Sequence, residues 1–222
     1  MPPEKPLLAF DTSAAHCAAA LLWQGNIIAE AREDMAKGQA ERLMPLIEEM
    51  LADAGYGWRD LGAIAVGVGP GNFTGIRISV AAARGLALGL GVPAVGVTGL
   101  EAVAFYGTGR MRAATASSRG AVYVQEFEGN AAQSPAWEAL PNDPDFWPEV
   151  GRTLLGDWPE LPADTVTPAI IRPDAKARLR AIAHIGAARA LEGAPLPAPF
   201  YLRAPDAAPP SDMPPLILDD QP

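Results

Sequence analysis

Three features of the sequence predict an α/β fold: an opening of three short apolar strands, a strand-helix-strand unit after them, and enough apolar material for a core. The chain has 222 residues, 49% of them hydrophobic and 19% charged. That balance is too apolar for a disordered chain, and the length suits one large domain or two small lobes.

The opening strands fall at 7–10, 18–22 and 27–31. Gly25-Asn26 between the last two is a hairpin signal, so the chain starts antiparallel. A helix is predicted over 39–54, where Leu43, Ile47, Met50, Leu51 and Ala54 recur at helical spacing. Pro45 must then lie in its first turn or kink it. The run AIAVGV at 63–68 is short and wholly apolar, as in a strand buried on both faces. It passes through Gly69-Pro70-Gly71-Asn72 into a helix over 74–90, then through Gly91-Val92-Pro93 into a strand at 94–97. Strand, helix, strand in that order is a parallel crossover. Thr98 is placed to cap a short helix reaching about Tyr106, and strands are expected at 112–116 and 121–127. Of the 23 prolines, 17 lie from Pro135 onward, so regular structure should be sparse there. The exception is a helix opened by Pro173-Asp174 and closed at Gly193. The last twenty residues, rich in proline and acid, read as a tail laid along a surface.

Charge and cysteine usage narrow the function classes. With 17 Lys and Arg against 26 Asp and Glu the formal charge is -9, which disfavours a wide nucleic-acid footprint made by this chain alone. Any RNA role needs a partner to supply the basic surface. The one cysteine, Cys17, excludes a disulfide framework and a multi-cysteine metal knuckle, and fits a reducing cytoplasm. No secretion-signal pattern is read at the amino end. The uncharged stretch 85–100 contains Pro93 and five glycines and falls short of the roughly 18 apolar residues of a membrane helix. A soluble cytoplasmic protein without membrane contact is expected.

The most biased segment is 61–100, which holds no acidic residue and only Arg77 and Arg84 as charges. Its helix, TGIRISVAAARGLALGL, is apolar nearly all round, whereas a surface helix normally keeps a polar face. One stripe, Ile76, Val80, Ala83, Ala87 and Leu90, can pack on a sheet. The opposite side carries Ile78, Ala81, Ala82, Gly85 and Gly89, a ridge of small residues that lets another helix approach closely. Either the preceding helix covers that ridge, or it is an intermolecular interface with Arg77 and Arg84 meeting partner carboxylates.

Candidate chemistry is thin. Asp11-Thr12-Ser13 at a strand end can contact a phosphate or metal, or simply make a turn. The loop from Gly69 to Gly75, with Gly71 and Thr74, has the outline of a phosphate cradle but lacks the lysine of a P-loop and the acid of a dinucleotide fingerprint. A structural role for its glycines is equally open. His16 and His184 form no metal-ligand pair, and no Gly-x-Ser-x-Gly elbow exists. His16 beside Cys17 reads as a strand pair pointing to opposite faces. No cofactor and no metal are predicted.

Taken together, Ala9-Phe10-Asp11-Thr12-Ser13, Ala40-Glu41-Arg42-Leu43-Met44-Pro45, the run from Gly69 to Arg77 with Phe73-Thr74-Gly75-Ile76-Arg77, and Phe200-Tyr201-Leu202-Arg203 resemble the bacterial TsaB family. The likeness is dense over residues 1–107 and thin afterwards. It implies an actin-like, sugar-kinase-like ATPase fold of two lobes, the second reduced: a first lobe at 1–107, a second at 108–203 and a tail at 204–222. It also implies a non-catalytic dimerisation subunit of the machinery that makes threonylcarbamoyladenosine in tRNA. Such a subunit pairs with a TsaD-like catalytic paralogue, is joined by a TsaE-like ATPase, forms a homodimer when alone and meets tRNA only through the complex. The family's interface uses the first two helices, which here assigns Leu43, Met44, Ile47, Ile76, Arg77, Val80, Ala81, Arg84, Gly85 and Leu88 to the partner face. Asp11, Thr12, Ser13, Gly69, Gly71 and Thr74 then form a vestigial phosphate loop. The sequence departs from the family at Gln39-Ala40-Glu41, where His-Ser-Glu is usual, and at residues 116–120, where an Asp-Ala-Arg-Arg-Gly segment is usual. The rival readings are an ATP-binding enzyme using Asp11 and the glycine loop, and a glycoprotease-like peptidase.

Overall fold

The first sheet is built from β1 (Leu7–Asp11), β2 (His16–Trp23), β3 (Asn26–Asp34), β4 (Ala63–Gly67) and β5 (Ala94–Val97), in the order β3-β2-β1-β4-β5. In this computed structural model, residues 5–117, 120–140, 143, 146, 153–156, 170–171 and 173–202 are described. The expected tail at 204–222 and Arg203 lie outside them. β2 pairs antiparallel with β1 and β3, while β4 pairs parallel with β1 and β5. The antiparallel start and the parallel crossover are both present. The β2–β3 turn is Gln24-Gly25 rather than Gly25-Asn26. Both turn residues have positive φ, 49° and 78°, and Asn26 already pairs with Trp23.

β1 and β4 are buried at every position because helices cover both faces of the sheet. On one face, Leu8, Phe10, Leu21, Ile64 and Val66 meet α1 (Gln39–Asp53) and α2 (Phe73–Leu90) through Leu43, Ile47, Leu51, Ile76 and Val80. On the other, Leu7, Ala9, Ala65 and Val97 meet α4 (Ala175–Glu192) through Leu179, Ile182 and Ala183. Alternate residues of one strand therefore serve two cores. Pro45 is the seventh residue of α1, in the second turn and later than expected. α3 (Gly99–Ala104) is opened by a capping box between Thr98 and Glu101, as Thr98 suggested.

The second sheet is smaller. It comprises β6 (Arg110–Ala116), β7 (Val122–Glu128), β8 (Ala131–Ala132), β9 (Trp137–Ala139), β10 (Thr153–Gly156) and β11 (Ile170–Ile171), ordered β11-β10-β6-β7-β8 with β9 also on β7. Leu100, Val103 and Ala104 of α3 pack on Met111, Ala113, Phe127 and Leu155. Two sheets with their helices make the two-lobed α/β arrangement expected, the second with two seven-residue strands and four of two to four residues.

After the second sheet the chain returns to the first. α4 starts at Asp174, whose side chain accepts from Ala177 N–H, and ends at Gly193 with φ 74°, as its flanking residues indicated. Arg189 ties it down by donating to the Gly96 carbonyl at 2.8 Å and pairing with Glu101. Lys176 and Arg180 hold Glu30 of β3 at 2.8 and 2.9 Å. The first sheet ends at Val97 and the second begins at Arg110, and α4 packs on the first.

The approach of α4 to β4 is closest at Gly186, where a Cβ would stand 2.3 Å from Ala65 Cβ. Alanine at this position gains about 1 kcal/mol of helix propensity and loses about 1–3 kcal/mol to overpacking. Gly186→Ala is expected to lower stability overall in urea unfolding; a more stable variant would contradict this packing.

Candidate partner interface and the glycine loop

α2 takes its direction from its first turn. Asn72 caps the helix by accepting from Gly75 N–H at 2.8 Å. Gly75 lies so close to the β1–β2 turn that a Cβ there would sit 1.9 Å from the Thr12 carbonyl oxygen. Thr12 Oγ1 donates to the Gly75 carbonyl at 2.7 Å, and Ser79 Oγ donates to the Gly67 carbonyl at 3.1 Å. These buried contacts fix which side of α2 meets the sheet.

Ile76, Val80, Ala83 and Ala87 consequently point inward and are buried. Ile78, Ala82 and Leu86 are half-buried against the same core. Ala81, Arg84, Gly85, Leu88 and Gly89 are exposed. Leu88 is 87% exposed, and a Cβ added at Gly85 or Gly89 would meet nothing within 4 Å. The first helix therefore covers only the flank of α2, and the small-residue ridge stays open. Length and composition would let α2 cross a membrane. Packing on the sheet accounts for one side of that composition and the open ridge for the other.

Four of the ten residues assigned to the partner face are corrected by burial. Leu43, Ile47, Ile76 and Val80 are at most 3% exposed and belong to the chain's own core, so no partner reaches them. Met44 on α1 is partly exposed, and Ala81, Arg84, Gly85 and Leu88 lie on the open face. Arg77 is exposed but occupied. Its guanidinium stands 3.9 Å over the Phe73 ring and its Nε donates to Tyr201 Oη at 3.1 Å. Tyr201 also packs on Phe73 at 4.7 Å. Arg84 makes no ion pair or hydrogen bond among the described residues.

The glycine loop and Asp11-Thr12-Ser13 come together, but they face each other. Asn72 N–H donates to the Ser13 carbonyl at 2.7 Å, and Gly99 N–H donates to the Gly69 carbonyl at 2.8 Å. Gly71 lies against the Ser13 carbonyl, and Thr74 is exposed. Two amides that a phosphate would need, those of Asn72 and Gly75, already have partners. Asp11 is similarly committed. It accepts from Ser13 N–H at 3.1 Å and Ser13 Oγ at 3.0 Å, and His16 Nε2 lies 3.0 Å from Oδ2. Burial alone would raise the Asp11 carboxyl, yet the contacts to His16 and Ser13 hold it below its ordinary value. The strand pair at 16–17 behaves as expected: His16 turns to Asp11, whereas burial pushes the Cys17 thiol up to about 11. His184 stacks on Phe105 at 5.8 Å and is lowered by burial. Among the described residues no three His, Cys, Asp or Glu side chains gather as a metal would require. The aromatic clamp on Arg77 was missed in the sequence because Tyr201 stands 124 positions away.

Residues 25–130 match the family model described as "TsaD: tRNA N6-adenosine threonylcarbamoyltransferase". The tRNA threonylcarbamoyladenosine biosynthesis protein TsaB of Escherichia coli K12 is 31% identical over 161 residues, 68% of this chain and 68% of that protein. The chain belongs to the TsaB family. The TsaB of Haemophilus influenzae is 40% identical over 98 residues, 44% of this chain and 41% of that one. YeaZ from Pseudomonas aeruginosa superposes with a TM-score of 0.64 at 27% identity, covering 87% of this chain and all of that structure. Within this TsaB-family chain, Gln39, where the resemblance led to an expected histidine, has a structural place. It is buried, its Nε2 donates to the Met35 carbonyl at 3.2 Å, and its carbonyl accepts from Cys17 Sγ at 3.5 Å. The second departure falls at 116–120, where Ser118 and Arg119 lie outside the described residues.

The depressed Asp11 has a consequence for acid stability. Stability from an ionised, hydrogen-bonded carboxylate is present above its ordinary value of 3.8 and is lost as pH falls through the lower folded value. Asp11→Asn should cost about 1.5–3 kcal/mol at pH 7, a gap that narrows below pH 3.8 in urea titrations. A gap independent of pH would contradict the assignment.

Proposed function

We propose that this TsaB-family protein acts in tRNA threonylcarbamoyladenosine biosynthesis as a non-catalytic partner subunit. It binds a TsaD-like catalytic paralogue through the open face of α2, and it pairs with itself through the same face when alone. The observation that carries this reading is the exposed row Ala81, Arg84, Gly85 and Leu88, an apolar helix face with one cation that nothing in the described chain covers. Such a face is costly to leave in water and suits close helix-to-helix packing. A TsaE-like ATPase joins the pair. tRNA is held by the partners, in keeping with the charge of -9. A cytoplasmic location goes with that role. The committed hydrogen bonds of Asp11 and of the glycine loop support a subunit without its own nucleotide chemistry and weigh against the ATP-binding enzyme.

The test is recovery of the paralogue from cell extract on the tagged protein, read by mass spectrometry. Leu88→Asp and Arg84→Glu should each reduce recovery at least tenfold, the effect of losing an interface anchor. Stability should stay within about 0.5 kcal/mol, as for an exposed site. Undiminished recovery with both variants would overturn the interface. A rise in melting temperature on adding ATP would favour the nucleotide-binding reading instead.

A further inference from the structure

The carboxy-terminal segment runs onto the first turn of α2, at one end of its open face. A Cβ at Gly96 of β5 would stand 3.5 Å from Pro197, and Phe200 N–H donates to the Val68 carbonyl at 2.8 Å. Tyr201 then reaches α2, where its ring packs on Phe73 and its Oη accepts from Arg77 Nε. Arg77, Ala81, Arg84, Gly85 and Leu88 are spaced i, i+4, i+7, i+8 and i+11, which puts them on one side of the helix. Tyr201 therefore occupies the first turn of the same stripe whose later turns are open.

The residues that follow match that stripe. Residues 203–222, RAPDAAPPSDMPPLILDDQP, carry four acids against one base. They hold one run of large aliphatic side chains, Leu216-Ile217-Leu218, and Asp219-Asp220 comes directly after it. The open face offers Leu88 at 87% exposure beside the bare backbone of Gly85 and Gly89. Arg84 on the same stripe has no partner among the described residues, and α2 itself carries no acid to repel a carboxylate. Reach is ample. Arg77 to Leu88 spans about 16 Å at about 1.5 Å per residue. The proline-rich chain from Tyr201 to Leu216 spans up to about 46 Å at about 3.1 Å per residue. A tether of that kind holds the run at roughly millimolar effective concentration, so a weak contact is enough to cover the face.

We propose that residues 203–222 fold back on the open face of α2 within the same chain, with Leu216-Ile217-Leu218 against Gly85, Leu88 and Gly89 and Asp219-Asp220 at Arg84. The tail then competes with whatever docks on that face. This competition rests on the partner reading above; the seating of the tail does not.

The experiment traps the contact in the full chain by disulfide formation at low micromolar protein. Leu88→Cys with Ile217→Cys should close an intramolecular disulfide at least tenfold faster than Gln133→Cys with Ile217→Cys, a control beside β8. Peptide mapping by mass spectrometry reads the linkage, and melting curves establish that the variants are folded. Cys17 is buried with its thiol raised to about 11, so it stays protonated at neutral pH. Equal rates for the two pairs, or linkage between chains only, would overturn the seating. Competition is read in the full chain carrying Leu216→Ser, Ile217→Ser and Leu218→Ser together. Its affinity for the paralogue and for itself should rise about threefold, as for a face covered about two-thirds of the time. Unchanged affinity would overturn the competition. If the tail is trapped and Leu88→Asp leaves recovery of the paralogue undiminished, the partner reading fails and the seating stands.

Discussion

The approach of Thr12 to Gly75 is the contact on which the rest of the molecule's arrangement depends. A threonine hydroxyl and a backbone carbonyl meet at 2.7 Å in a buried site, and no side chain fits on Gly75 between them. That closeness pins the first turn of α2 to the end of β1. Since a helix has only one rotation consistent with a pinned first turn, the stripe from Ile76 to Ala87 is turned to the sheet. The ridge from Ala81 to Gly89 is turned to solvent. The same contact explains why the glycine loop makes a poor cradle. Glycines there serve the approach of two backbones, and the amides they would offer an anion are already spent on Ser13 and Asn72.

The second constraint is burial of the first sheet on both faces. α1 and α2 cover one side, and α4 returns from the far end of the chain to cover the other. Glu30, held by Lys176 and Arg180, and Gly96, held by Arg189, anchor that return. Surface ion pairs such as Glu30 with Lys176 contribute little individually, about 0–1 kcal/mol. The apolar contacts of Leu179 and Ile182 carry most of the docking, and the ion pairs set its register.

Much of the first lobe was legible in the sequence because its signals are local and strong. The wholly apolar 63–68, the crossover to Ala94–Val97, the Thr98 cap and the Asp174-to-Gly193 helix all follow from period, caps and breakers. In the second lobe the strands expected at 112–116 and 121–127 are present as β6 and β7, but β8 to β11 were illegible, since they have two to four residues and no period to read. The interface was half legible. A bias against charge singled out α2, but periodicity alone could not say that Leu43, Ile47, Ile76 and Val80 are interior while Leu88 is not. That depends on the rotation fixed by Thr12 and Gly75, a contact between residues 63 apart. The capture of Arg77 by Tyr201 is hidden for the same reason.

Sedimentation equilibrium of the purified chain tests the central claim most directly, because it asks whether the open face of α2 associates with no other protein present. Wild type should sediment as a concentration-dependent dimer, and Leu88→Asp as a folded monomer, since burying an unpaired carboxylate in a close helix contact is strongly unfavourable. A wild-type monomer at high concentration, or a dimer that survives Leu88→Asp unchanged, would contradict the account.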